Sequence, residues 1–104
     1  MKVYMILHTQ YIPPFGMGFA DVEFALTSKK SAQNQMNEIR MQCLSNKLFL
    51  NPNNEYTHTI YSDEESDNPN NLRTIAIDHY LGGIKTSTTY YRLVCKEANT
   101  GLIG

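Results

Sequence analysis

The hydrophobic period of this chain changes from two to a helical spacing and back again, and that switch limits the fold more than any other feature. Over residues 1–11, Val3, Met5 and Leu7 fall on one side while Lys2, Tyr4, His8 and Gln10 fall largely on the other. A period of two marks a half-buried strand. Pro13-Pro14 ends it and Gly16-Met17-Gly18 makes a loop, after which residues 20–26 alternate again through Val22, Phe24 and Leu26. The two runs read as a hairpin with a long, irregular connection. From about residue 29 to 47 the apolar positions are Ala32, Met36, Ile39 and Cys43, joined by Leu44. Steps of four, three and four make one stripe of a helix, with Gln33, Asn34, Asn37, Glu38 and Gln42 on its outer face. Thr27 or Ser28 supplies a hydroxyl to cap its first turn.

Beyond the turn Asn51-Pro52-Asn53-Asn54, alternation returns in a short strand over residues 56–61. Two further strands over residues 72–81 and 84–95 flank Gly82-Gly83, a two-residue hairpin turn. The order β-β-α-β-β-β predicts an α+β fold, a mainly antiparallel sheet of about five strands with one amphipathic helix on one face. With 104 residues and 41% apolar content, one core suffices. We expect a single domain over residues 1–97 and a flexible C-terminal tail over 98–104. In an unbroken register from the glycine turn, Leu81 faces Ile84, His79 faces Thr86, Ile77 faces Thr88 and Ile75 faces Tyr90, which puts Tyr90 in the core. The same register sets Arg73 opposite Arg92, and like charges opposed on a sheet are unfavourable. Either a bulge breaks the ladder or the two guanidiniums converge on an anion, whether Asp63, Glu64 or a ligand phosphate.

A formal net charge of −1 argues against a generic polyanion binder and against a strongly negative mimic of DNA. Direct nucleic-acid contact is therefore not expected. No run approaches the ~20 apolar residues of a membrane span, and the alternating start of the chain does not read as a signal peptide. Cys43 and Cys95 read as small buried hydrophobes rather than a disulfide, which points to a cytoplasmic setting.

No motif carries an obvious reaction. His8-Thr9 and His58-Thr59 invite comparison with phosphoesterases that use two strand-borne His-x-Ser/Thr motifs. There the hydroxyl stands two positions after the histidine, on the same face; here those positions hold Gln10 and Ile60. Asp78-His79 are strand neighbours and point to opposite sides. A hydrolytic reading built on His8, His58 and Asp78 needs a fold that gathers them. Metal-ligand spacings are missing, and Asp63-Glu64-Glu65-Ser66-Asp67 lacks the glycine and final glutamate of a calcium loop. Gly16-Met17-Gly18 is followed by no lysine and no helix, so it is not a phosphate loop. We expect no catalytic residue, no metal and no cofactor. Two features read as recognition surfaces instead. One is the acidic, solvated stretch over residues 62–71; the other is the apolar loop with Ile12, Phe15, Met17 and Phe19, which either tucks under the sheet or offers a contact patch.

The segment Val22-Glu23-Phe24-Ala25-Leu26-Thr27-Ser28-Lys29-Lys30-Ser31-Ala32 resembles a pattern in small accessory proteins of bacteriophages and other mobile elements. In these an opening hairpin leads into a Thr/Ser-Lys-Lys/Glu-x-Ala helix start. The resemblance covers roughly residues 1–46, about half the chain; the long acidic stretch and the additional hairpin depart from the pattern. It implies a non-enzymatic protein that binds a bacterial protein in the host cytoplasm and inhibits a defence or nucleic-acid enzyme, the anti-CRISPR kind included. The expected contacts are Asp63, Glu64, Glu65 and Asp67 toward a basic surface, with Tyr61, Phe15 and Tyr91 as anchors. A free sheet edge can also pair two copies. The alternative is a small-ligand or nucleotide-binding module with Arg73 and Arg92 as an anion fork.

Overall fold

The computed structural model describes residues 1–44 and 56–97, with the side chain of Tyr56 excepted. The turn over residues 51–54, the end of the helix beyond residue 44 and the tail over 98–104 lie outside the described residues. Chain order runs β1 (Lys2–Ile12), β2 (Gly16–Met17), β3 (Asp21–Leu26), α1 (Lys29–Leu44), β4 (Tyr56–Glu65), β5 (Arg73–Leu81) and β6 (Ile84–Glu97). The fold is α+β, with an antiparallel sheet in the order β2-β1-β6-β5-β4 and β3 beside β2 on the outer edge of β1. Apart from the two-residue β2, this is the layout that the periodicity predicts.

Helix α1 lies on one face of the sheet. Its buried residues are Ala32, Met36, Ile39 and Cys43, and they pack on Ile6, Ile75, Ile77, Tyr91, Leu93 and Leu72. Leu44 departs from the predicted stripe and is 60% exposed, because it sits a step beyond Cys43 around the helix. At the start of the helix, the Ser28 carbonyl accepts from Ala32 N–H and the Ser28 hydroxyl accepts from Ser31 N–H at 3.3 Å. Cys43 and Cys95 are free thiols.

Gly82 and Gly83 have φ of 59° and 81°, the left-handed pair that a two-residue hairpin turn requires. Leu81 pairs with Ile84 and Tyr80 with Lys85, but His79 pairs with Ser87, so Thr86 is left out of the ladder. This bulge shifts the register by one residue. Arg73 faces Leu93, and Arg92 faces Thr74. Tyr91, not Tyr90, therefore joins the helix face, since a one-residue slip exchanges the two faces of a strand. A second bulge omits Tyr61 between Ile60 and Ser62 of β4, and a third falls at Glu23 in β3. β4 also continues to Glu65, so Asp63, Glu64 and Glu65 stand on an edge strand instead of in a loop.

The 16 described residues of the helix span ~24 Å, and the 14 residues of β6 reach ~46 Å. The principal extents of 53 × 29 × 24 Å follow from the long strands.

Met36 is fully buried and Met41, five residues on and facing out, is 65% exposed. We predict that Met36→Ala costs ~2–5 kcal/mol in urea unfolding, while Met41→Ala stays within ~0.5 kcal/mol.

Candidate functional site

Arg73 is 6% exposed, on the helix face at the start of β5. Its Nε and Nη2 donate to the two carboxylate oxygens of Asp63, both at 2.8 Å. Nη1 donates to Asn37 Oδ1 at 2.7 Å and Gln33 Oε1 at 3.1 Å. Arg40 of the helix approaches the same carboxylate, its Nε 3.0 Å from Oδ2. The Arg73 hydrogen bonds hold the Asp63 carboxyl below its usual range against the opposing effect of burial, and Asp63 in turn raises Arg73. This cluster is a clamp between helix and sheet. Gln33 and Asn37, outer-face residues in the sequence reading, turn out to be its polar rim.

Arg73 and Arg92 do not form a fork. The Thr86 bulge puts Arg73 with Leu93 on the helix face and Arg92 with Thr74 on the opposite one, here called the open face. Asp63 is likewise spent on the clamp. Tyr91 is 7% exposed, in the core, and its hydroxyl is pushed up to about 12 by burial, with Glu23 and Cys43 adding to it. It is withdrawn from any partner.

The histidines separate into two places. His8 lies against Tyr91 with the ring planes tilted by 44° and the centroids 5.2 Å apart, and its Nδ1 is 3.7 Å from Glu23. His58 and His79 pair across β4 and β5, their centroids 6.2 Å apart. His79 is 1% exposed and bonds Thr89 Oγ1 through Nε2 at 2.7 Å; His58 Nε2 meets the Cys43 carbonyl at 3.2 Å. Two imidazoles thus do meet, but inside the sheet–helix layer. Asp78 points to the open face, where it accepts from Thr88 at 2.7 Å and pairs with Lys85 at 3.3 Å. Burial lowers the His79 pKa, the neighbouring His58 adds to this, and Asp78 opposes it. Among the described residues, no group of three or more His, Cys, Asp or Glu side chains is placed to hold a metal ion.

The exposed side chains tell a different story. Among the described residues, seven of the thirteen exposed large hydrophobics lie between Tyr11 and Phe24, with Phe15 at 87% and Phe19 at 98%. This arm is pinned at its base by Phe15 N–H to the Ile12 carbonyl (2.7 Å) and Gly18 N–H to the Gln10 carbonyl (2.9 Å). Of the two alternatives for this loop, it offers its apolar side chains outward. A cavity of about 360 Å³ lies between the arm and His8, Gln10 and Asp21. At the opposite edge of the sheet, Tyr61 is 73% exposed, with Lys85 Nζ 5.8 Å over its ring. Glu64, Glu65 and Asp67 are exposed along the same edge.

Compared with known proteins, the chain matches no family model, no curated protein and no solved structure. No helix among the described residues is long and apolar enough to cross a membrane.

Two predictions follow from the buried charges. Asp63→Ala leaves Arg73 buried without its counter-ion and should cost ~3–5 kcal/mol. In a double-mutant cycle with Arg73→Met, the pair should cost clearly less than the sum of the single variants in urea melts. A cycle that adds would show the clamp to be uncoupled. For His79 the folded state disfavours the proton, so its contribution is intact above the ordinary imidazole value of about 6.5 and is lost as pH falls through the lower folded value. Unfolding free energy should therefore decline from pH 7 to pH 5, and more gently in His79→Gln.

Proposed function

We propose that this chain is a non-catalytic accessory protein of the phage type that binds one bacterial protein stoichiometrically and inhibits it, the target being a defence or nucleic-acid enzyme. The observation that carries this reading is the outward-facing apolar arm. Phe15 and Phe19, almost fully solvated on a short strand-and-turn scaffold, are costly to leave in water; covering each is worth ~1.5–3 kcal/mol. Aromatic side chains presented on a pinned loop are the usual anchors of protein interfaces. Tyr61 with Glu64, Glu65 and Asp67 supplies a second, acidic edge for a basic surface on the partner. The kind of target is taken from the resemblance of residues 22–32 to mobile-element accessory proteins, and the contact mode from the arm.

The test compares wild type with Phe15→Asp/Phe19→Asp, whose melting temperature should match wild type because both rings are exposed. Wild-type protein cross-linked in bacterial lysate should retain a partner that the double variant loses. Titrated into that partner's own assay, it should abolish activity near one equivalent. Identical recovery by both proteins, or recovery of no partner by either, would overturn the reading.

A further inference from the structure

The face of the sheet away from the helix holds a cleft of about 410 Å³ that the protein-binding reading leaves unused. Its floor is Tyr90 and Arg92, two positions apart on β6 and so on one face. Thr9 and Met17 border it on the side of the arm, and Asn71 and Thr74 on the other. Tyr90 pairs with Ala76 on one flank and Thr9 on the other, and Arg92 pairs with Thr74 and Leu7.

An arginine on a sheet face is ordinarily a solvated surface residue, often paired with a carboxylate. Arg92 differs in its neighbours. Its cross-strand partners are Thr74 and Leu7, and among the described residues no carboxylate lies within ion-pair distance of it. Asp78, on the same face, is already bonded to Thr88 and Lys85. Glu64, paired with Thr74, stands two strands away at ~10 Å by strand spacing and does not line the cleft. Lys96, farther along the same face, binds Asn70 Oδ1 at 3.2 Å and adds positive charge beside Asn71. The Thr74 hydroxyl donates to Asn71 Oδ1, which leaves the amide nitrogen of Asn71 as a further donor. An exposed guanidinium with the Thr9 hydroxyl and the Asn71 amide beside it, and no acid among the lining residues, is suited to a phosphoryl group. The apolar side of the cleft, Tyr90 with Met17, fits a flat body attached to that group.

We propose that this open-face cleft binds a phosphomonoester carrying a planar ring, of the nucleoside monophosphate class, with Arg92 on the phosphate and Tyr90 with Met17 against the ring. The site is separate from Phe15 and Phe19, so it stands or falls apart from the protein-binding reading.

The full-length chain, labelled with ¹⁵N, would be titrated with AMP, adenosine and inorganic phosphate. AMP should shift the amides of Thr9, Asn71, Thr74 and Tyr90 at lower concentration than phosphate or adenosine does. Arg92→Gln should weaken AMP at least ~10-fold, the loss of one charge-assisted contact, while Arg92→Lys retains part of the affinity. Because Arg92 is exposed, the Arg92→Gln spectrum should otherwise overlay wild type. Equal AMP binding by Arg92→Gln, shifts confined to other residues, phosphate binding as well as AMP, or no shift at millimolar AMP would each overturn the proposal.

Discussion

With Thr86 displaced from the ladder between Lys85 and Ser87, every residue of β6 beyond it changes face relative to an unbroken hairpin. Tyr91 and Leu93 then meet the helix, while Tyr90 and Arg92 turn away. Without the extra residue, Arg73 would oppose Arg92 and two guanidiniums would share one side of the sheet. Thr86 also anchors the irregularity, its hydroxyl donating to the His79 carbonyl at 3.3 Å. A bulge next to a tight glycine turn tolerates this because the ladder there is already strongly twisted. The allocation of β6 to core and open face thus rests on one residue of slack.

Freed from that clash, Arg73 can be buried. Sealing a guanidinium under a helix is unfavourable unless its charge and its donors are met. Here both are met by groups from two elements, Asp63 on β4 and Gln33 and Asn37 on α1, while Arg40 of α1 shares the Asp63 carboxylate. Four of the five guanidinium N–H groups have acceptors in this arrangement. Such a clamp adds little net stability over an apolar contact of the same shape. Its directional demands instead fix where the helix sits across the strands, which a smooth patch of Ile75, Ile77 and Leu93 would leave loosely defined.

Local pattern in the sequence carried the elements. The four-three-four spacing of Ala32, Met36, Ile39 and Cys43 is the buried stripe of the helix, and Gly82-Gly83 is the turn, because these signals depend on a few adjacent residues. The face of each strand residue past a bulge was not legible in that way. Bulges at Thr86, Tyr61 and Glu23 depend on tertiary fit, and each exchanges core and surface downstream. Tyr91, expected as a surface anchor, is therefore core, and Asp63, expected in a solvated loop, is the counter-ion of Arg73. The like-charge opposition of Arg73 and Arg92 was the one cue in the sequence that the register must break. Gln33 and Asn37 gave no such cue, since a polar residue at the edge of a helical stripe reads the same whether it faces water or a buried guanidinium. For Phe15 the sequence leaves two outcomes open, tucked under the sheet or turned outward, and the structure turns it outward at 87% exposed.

Among the described residues the helix covers Ile6, Ile75, Ile77, Tyr91 and Leu93, and Phe15 and Phe19 of the arm stay exposed. Natural sheets normally blunt an exposed edge strand with charge. β4 follows that rule through Glu64 and Glu65. The arm breaks it, presenting Phe15, Met17 and Phe19 where a polar loop would serve the fold equally well. Among the described residues Phe15, Met17 and Phe19 stand outside the buried cluster, so solvation penalises them without a return from the core.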